Sequence, residues 1–131
     1  MEIARLDHVV LTVRDVAATC AFYSRVLGMR VETFGAGRTA LHFGNQKINV
    51  HPTGGDVTLV ARLPTPGSGD LCFITTTPRD ALLAHLAACG VAVEAGPIER
   101  AGAIGPMESV YFRDPDGNLV EVSRYSDEPG R

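Results

Sequence analysis

Leu6-Asp7-His8-Val9-Val10-Leu11-Thr12-Val13 alternates along its length, so that Leu6, His8, Val10 and Thr12 share one face of a strand and Asp7, Val9, Leu11 and Val13 the other. Asp15 follows as a capping residue. Val16, Cys20, Tyr23 and Leu27 then recur at helical spacing, and Gly28 stands where a left-handed residue ends a helix. Three strand-like runs come next, Met29 to Phe34, Arg38 to Phe43 and Lys47 to His51, separated by turns at Gly35-Ala36-Gly37 and Gly44-Asn45. The order from residue 5 to 52 is therefore strand, helix, strand, strand, strand.

That order returns further along. Between Pro52 and Gly69 prolines and glycines gather around a short apolar stretch, Val57 to Leu63, which reads as a connector folded over something. Asp70 to Thr75 is strand-like. Thr77 and Pro78 read as the cap and first turn of a helix whose apolar stripe is Leu82, Leu83 and Leu86, and Gly90 ends it. Val91 to Glu94 is strand-like, a Gly-rich segment runs from Gly96 to Pro106, and Ser109 to Arg113 is again a strand. Asp114-Pro115-Asp116-Gly117-Asn118 has turn chemistry at every position, Leu119 to Ser123 closes the set, and Ser126 to Arg131 is expected to fray. Landmarks repeat between the copies: Gly28 with Gly90, and Ile48-Asn49-Val50 with Val120-Glu121-Val122. One helix on a four-stranded sheet leaves the other face bare, and two such sheets can cover each other or curl into a shared cup. The expected fold is α+β, with two paired βαβββ modules forming a cup-shaped mixed sheet in one domain: module one about 5–52, connector 53–69, module two about 70–125.

With 131 residues, 45% of them apolar and 21% charged, the chain reads as an ordinary globular domain. A net charge of −3 and the lack of any Lys or Arg run argue against nucleic acid as a partner. No apolar stretch is long enough for a membrane, and Met1 to Arg5 lack the basic start and apolar run of a signal peptide. Three cysteines, Cys20, Cys72 and Cys89, have no metal-type spacing; an odd count without a secretory signal fits reduced thiols in the cytoplasm.

The first and last strands of each module carry His8 and Asn49, and Asp70 and Glu121, at inward positions. An imidazole and two carboxylates converging in one cup suit a divalent metal with oxygen-rich ligation. His8 is otherwise a hydrogen-bonded strand histidine, Glu121 an arginine partner, and Asp70 the punctuation of a strand start. The chain resembles the vicinal oxygen chelate superfamily, which includes glyoxalase I, fosfomycin-resistance transferases, extradiol dioxygenases and bleomycin-resistance proteins. The resemblance rests on Leu6-Asp7-His8-Val9-Val10-Leu11, Ala21-Phe22-Tyr23 with Leu27-Gly28, and Tyr111 to Asn118 followed by Val120-Glu121-Val122. It runs over roughly residues 5 to 125. Two runs bring it nearest to small glyoxalase-domain-containing proteins: Phe43 to Asn49 and Gly69 to Thr75.

The resemblance implies a metal held by His8, Glu121 and the position of Asp70, where the family carries a histidine. An aspartate there favours Mg or Mn, with Ni and Zn also open, and disfavours the two-His, one-carboxylate chemistry of ring-cleaving dioxygenases. A fourth ligand of glyoxalase I corresponds to Asn49, a weak oxygen donor. His51 lies two residues on, about 6.6 Å further along the strand, and either supplies an imidazole or flanks the cup. Tyr111 matches a substrate-contacting tyrosine and would donate to a developing oxyanion; Ser109 shares its face. Arg100, in the Gly-rich segment, would clamp an anionic substrate group. The resemblance thus implies Lewis-acid chemistry on a small oxygenated molecule, with Glu121 and Tyr111 as catalytic residues, in a homodimer. The competing expectation is a metal-free, antibiotic-type binding protein using the same cup.

Overall fold

A computed structural model describes residues 1–126 of the protein, so the expected fraying from Ser126 onward falls, beyond Ser126 itself, outside the described residues. The chain forms two compact units, Met1–Ser68 and a second beginning at Gly69.

The first unit runs β1 (His8–Val13), α1 (Val16–Leu27), β2 (Arg30–Phe34), β3 (Arg38–Phe43) and β4 (Gln46–Pro52). Its sheet has the order β1-β4-β3-β2, with β1 parallel to β4 and the other pairs antiparallel. The helix starts where Asp15 accepts a hydrogen bond from the Ala18 N–H at 3.0 Å. It stops at Gly28, whose φ of 68° lets its N–H reach back to the Ser24 carbonyl at 3.1 Å. Alternation then sorts the strands: Leu11, Val13, Leu41, Ile48 and Val50 are buried, as are Cys20, Tyr23 and Val26 along α1. The strand starts at His8 and not at Leu6, which is exposed.

The second unit repeats the plan with β5 (Asp70–Ile74), α2 (Arg79–Ala88), β6 (Ala95–Gly102), β7 (Gly105–Arg113) and β8 (Leu119–Tyr125), in the order β5-β8-β7-β6. β5 is parallel to β8. Val110, Phe112, Val120 and Val122 form the buried strand positions, and Leu82 and Leu86 those of α2. Two four-stranded mixed sheets with two helices make an α+β fold of paired strand-helix-three-strand modules, as the sequence predicted.

Three local expectations are corrected. Thr77 does not cap α2: Pro78 occupies the cap position without a side-chain bond, while the Thr77 N–H and hydroxyl are engaged by the Thr75 hydroxyl at 3.1 and 3.0 Å. Val91 to Glu94 is not a strand. The Gly-rich segment, given no strand in the sequence, holds most of β6, bulged between Ala95 and Ile98 and then paired regularly with β7, which begins at Gly105 and not at Ser109. Gly96 explains how: at φ 100° its backbone lies so close to β7 that a Cβ would run into the Ser109 carbonyl.

The turn before β8 is a hydrogen-bonded knot. The buried Asp114 carboxylate accepts from the N–H groups of Asp116 and Asn118, both at 2.9 Å, and from the Asn118 side chain at 2.8 Å. Asn118 in turn accepts from the Gly69 N–H at 2.7 Å and so ties the start of β5 to β8. Asp114→Ala strands these donors in a buried place and is expected to lower stability by about 2 to 3 kcal/mol in urea denaturation.

Candidate functional site

In the first unit the face opposite the buried positions is polar. Register places His8, Val10 and Thr12 of β1 beside Lys47, Asn49 and His51 of β4, with His42 of β3 next to Lys47. His8 Nδ1 lies 2.8 Å from Asp7 Oδ2, and this bond holds the Asp7 carboxyl below its usual value. An ionised carboxylate only accepts, so Nδ1 carries the hydrogen, and in the uncharged form of the ring the lone pair lies on Nε2. His42 is committed elsewhere, with Nε2 3.0 Å from Glu32 Oε2.

Two polar atoms on this face are buried without a hydrogen-bond partner among the described residues, Asn49 Oδ1 and His51 Nδ1. Burial, assisted by the positive charge of Arg38, pushes the His51 imidazole below its usual value and keeps it neutral. The connector does fold over something. It closes on the end of β1 and β4 to leave a small cleft of about 170 Å³ lined by Thr12, His51, Gly54, Asp56, Val57 and Val60, among others.

In the second unit Cys72 of β5 and Tyr111 of β7 flank Glu121 of β8 in register, with Ser109 and Ser123 one step along the same face. The Glu121 carboxylate is engaged by hydroxyls and not by the arginine partner that was its alternative. Its Oε2 accepts from the Ser109 hydroxyl at 2.6 Å, and the Ser123 hydroxyl oxygen lies 3.2 Å from the same atom. The two serine oxygens are 2.6 Å apart, and Cys72 Sγ is 3.3 Å from Ser123 Oγ. Burial first, then the nearby carboxylates, push the Cys72 thiol up. Arg100 sits on β6 opposite Met107, donates through Nε to the Tyr111 hydroxyl at 3.0 Å, and lies over the Tyr111 ring. Asp70 opens β5 on the same face, and no hydrogen bond engages its carboxylate among the described residues.

The expected site residues thus fall in two groups. His8, Asn49 and His51 lie together on the first sheet; Asp70, Ser109, Tyr111, Glu121 and Arg100 lie together on the second. No three His, Cys, Asp or Glu side chains stand as a cluster among the described residues. The donors themselves fit a divalent ion: His8 has the carboxylate-oriented ring typical of a metal-binding histidine, and Glu121 has both serines on one oxygen. Sequence reasoning missed Cys72 and Ser123, though each is two positions from a named residue along a strand, and that spacing was the available signal.

Comparison with known proteins places this geometry. Residues 5–122 match the model of the Glyoxalase/Bleomycin resistance protein/Dioxygenase superfamily, and the chain belongs to that family. It is 50% identical over 125 residues to the virulence protein STM3117 of Salmonella typhimurium, covering 95% of this chain and 87% of that one. It is 47% identical over 127 residues to the glyoxalase domain-containing protein RDO1 of Mycosarcoma maydis, covering 97% and 72%. Among solved structures, an integron cassette protein from the mobile metagenome of V. cholerae superposes with a TM-score of 0.94 at 52% identity, covering 96% of this chain and 98% of that one. Among the described residues no helix is long and apolar enough to cross a membrane.

Because burial lowers the pKa of His51 when folded while it titrates near 6.5 when unfolded, folding displaces no proton from it above that pH; stability is lost as pH falls below it. The His51 ring proton signal in an NMR titration is expected to move at lower pH than that of an unfolded histidine. His51→Gln is expected to remove its share of the fall in urea midpoint between pH 7.5 and about 5.5.

Proposed function

We propose that this chain is a divalent-metal-dependent enzyme of the glyoxalase type, a lyase, isomerase or transferase for a small molecule with two neighbouring oxygens, acting as a homodimer in the cytoplasm. The observation that carries the reading is the His8–Asp7 bond, which leaves the Nε2 lone pair of His8 available to an ion. His8, Asp70 and Glu121 are the proposed donors. Two carboxylates to one imidazole favour Mg or Mn over Ni or Zn. The bound ion would supply Lewis-acid polarisation of the paired substrate oxygens.

The remaining groups have roles that follow from their contacts. Tyr111 accepts from Arg100, so its own hydroxyl hydrogen is left to donate to a developing oxyanion. Arg100 uses Nε on Tyr111 and Nη1 on the Glu99 carbonyl at 3.4 Å, which leaves the other nitrogen for an anionic substrate group. Asn49 and His51 offer their unpaired buried atoms to substrate hydroxyls. Glu121 carries the proton between substrate carbon and oxygen. Cys20, Cys72 and Cys89 form no disulfide among the described residues, which supports a reducing compartment.

The test is metal analysis of protein purified without chelators, beside His8→Ala and Glu121→Ala. Stoichiometric metal in the parent and its loss in both variants is the expected result. If the parent holds no metal and takes up no added Mn, Ni, Zn or Mg, the enzyme reading fails and metal-free binding of small molecules takes its place. With metal confirmed, α-hydroxy and α-keto compounds, with and without thiols, are the substrates to screen.

A further inference from the structure

The polar cluster on the second sheet contains more order than its pairwise distances state. Cys72, Ser109 and Ser123 each have a single hydrogen to donate. The Ser109 hydroxyl donates the 2.6 Å contact to Glu121 Oε2 and spends its hydrogen there. The 2.6 Å contact between the serines is then donated by Ser123, and the 3.3 Å contact at Ser123 is donated by the Cys72 thiol. One direction satisfies all three contacts: Cys72 to Ser123 to Ser109 to Glu121 Oε2. Both serines are fully buried, at 0% exposure, so neither hydroxyl can turn to water. The chain crosses three strands, β5, β8 and β7, and strand register fixes its members.

We propose that Ser109, Ser123 and Cys72 are positioning residues for Glu121, a role that rests on Glu121 being a metal ligand. Ser109 donates to Oε2, and the Ser123 oxygen, its hydrogen given to Ser109, lies 3.2 Å from the same atom, so the carboxylate is pinned on that side and can present Oε1 in one orientation. Each link is polarised toward the charge, and the bond from Ser109 is charge-assisted, the strong kind of hydrogen bond. Ser109 therefore acts on Glu121 rather than on substrate. Ser123 sets the direction of the Ser109 hydroxyl, and Cys72 sets that of Ser123.

The experiment is Mn²⁺ titration, read as free Mn²⁺ by electron paramagnetic resonance, with a melting temperature for each metal-free variant. Glu121→Ala fixes the loss expected when the ligand itself is gone. Ser109→Ala is expected to weaken Mn²⁺ binding about 10- to 100-fold, the usual effect of removing an orienting partner. Ser109→Thr keeps a hydroxyl and is expected to bind within about threefold of the parent, whereas a packing role would follow side-chain size and leave affinity unchanged in Ser109→Ala. If Ser109→Ala does not fold, Ser123→Ala carries the test, with an expected weakening of about three- to tenfold. Parent-like affinity in the folded serine-to-alanine variant, with binding lost in Glu121→Ala, overturns the positioning role and leaves Glu121 as ligand. Parent-like affinity in Glu121→Ala overturns the ligand assignment and the positioning role with it.

Discussion

In both units the last strand of the module returns to lie parallel to the first: β4 beside β1, and β8 beside β5. The side-by-side placement of polar residues on the first and last strands depends on that pairing. It is what sets Asn49 and His51 next to Val10 and Thr12, and Cys72 next to Glu121, although each pair is far apart in sequence. Side chains alternate strictly along a strand, so a slip of one residue would exchange the buried face for the polar one. Resistance to such a slip comes from the buried side. Each fully buried Val, Leu or Ile contributes about 1.5 to 3 kcal/mol, against about 1 kcal/mol for a typical hydrogen bond, so the apolar core dictates where the polar residues point.

The two polar faces carry different chemistry on the same scaffold. On the first sheet the notable groups are His8, held through Nδ1 by Asp7, the buried amide oxygen of Asn49, and a His51 kept uncharged by burial. On the second, the notable group is the Glu121 carboxyl, already satisfied on one side, with a phenol and a guanidinium alongside.

How much of this could be read from the residues varied with the kind of signal. The strands at residues 8–13 and 38–43, the Asp15 cap and the Gly28 terminus were legible because alternation and capping are local effects. His8, Asp70, Tyr111 and Glu121 were legible as face-sharing positions for the same reason, with the family resemblance to select them. Thr77 was misread because a nearer partner, Thr75, took its hydroxyl. The hydrogen-bond chain behind Glu121 was out of reach, since the donor serving a carboxylate on β8 depends on the β7–β8 register and not on spacing along either strand.

The strand β6 was hidden by its composition, and the same composition has a consequence of its own. β6 comes last in the order of its sheet, paired to β7 on one side. The outermost strand of a sheet is a template for other chains, because its free backbone groups invite another strand to join. Pro97 has no N–H to offer, Gly96 turns the backbone through a positive φ, and the bulge beside them breaks the regular spacing of donors. The segment that carries Arg100 is therefore a poor nucleus for edge-to-edge aggregation. Substitutions that regularised it into better β sequence would trade that protection away.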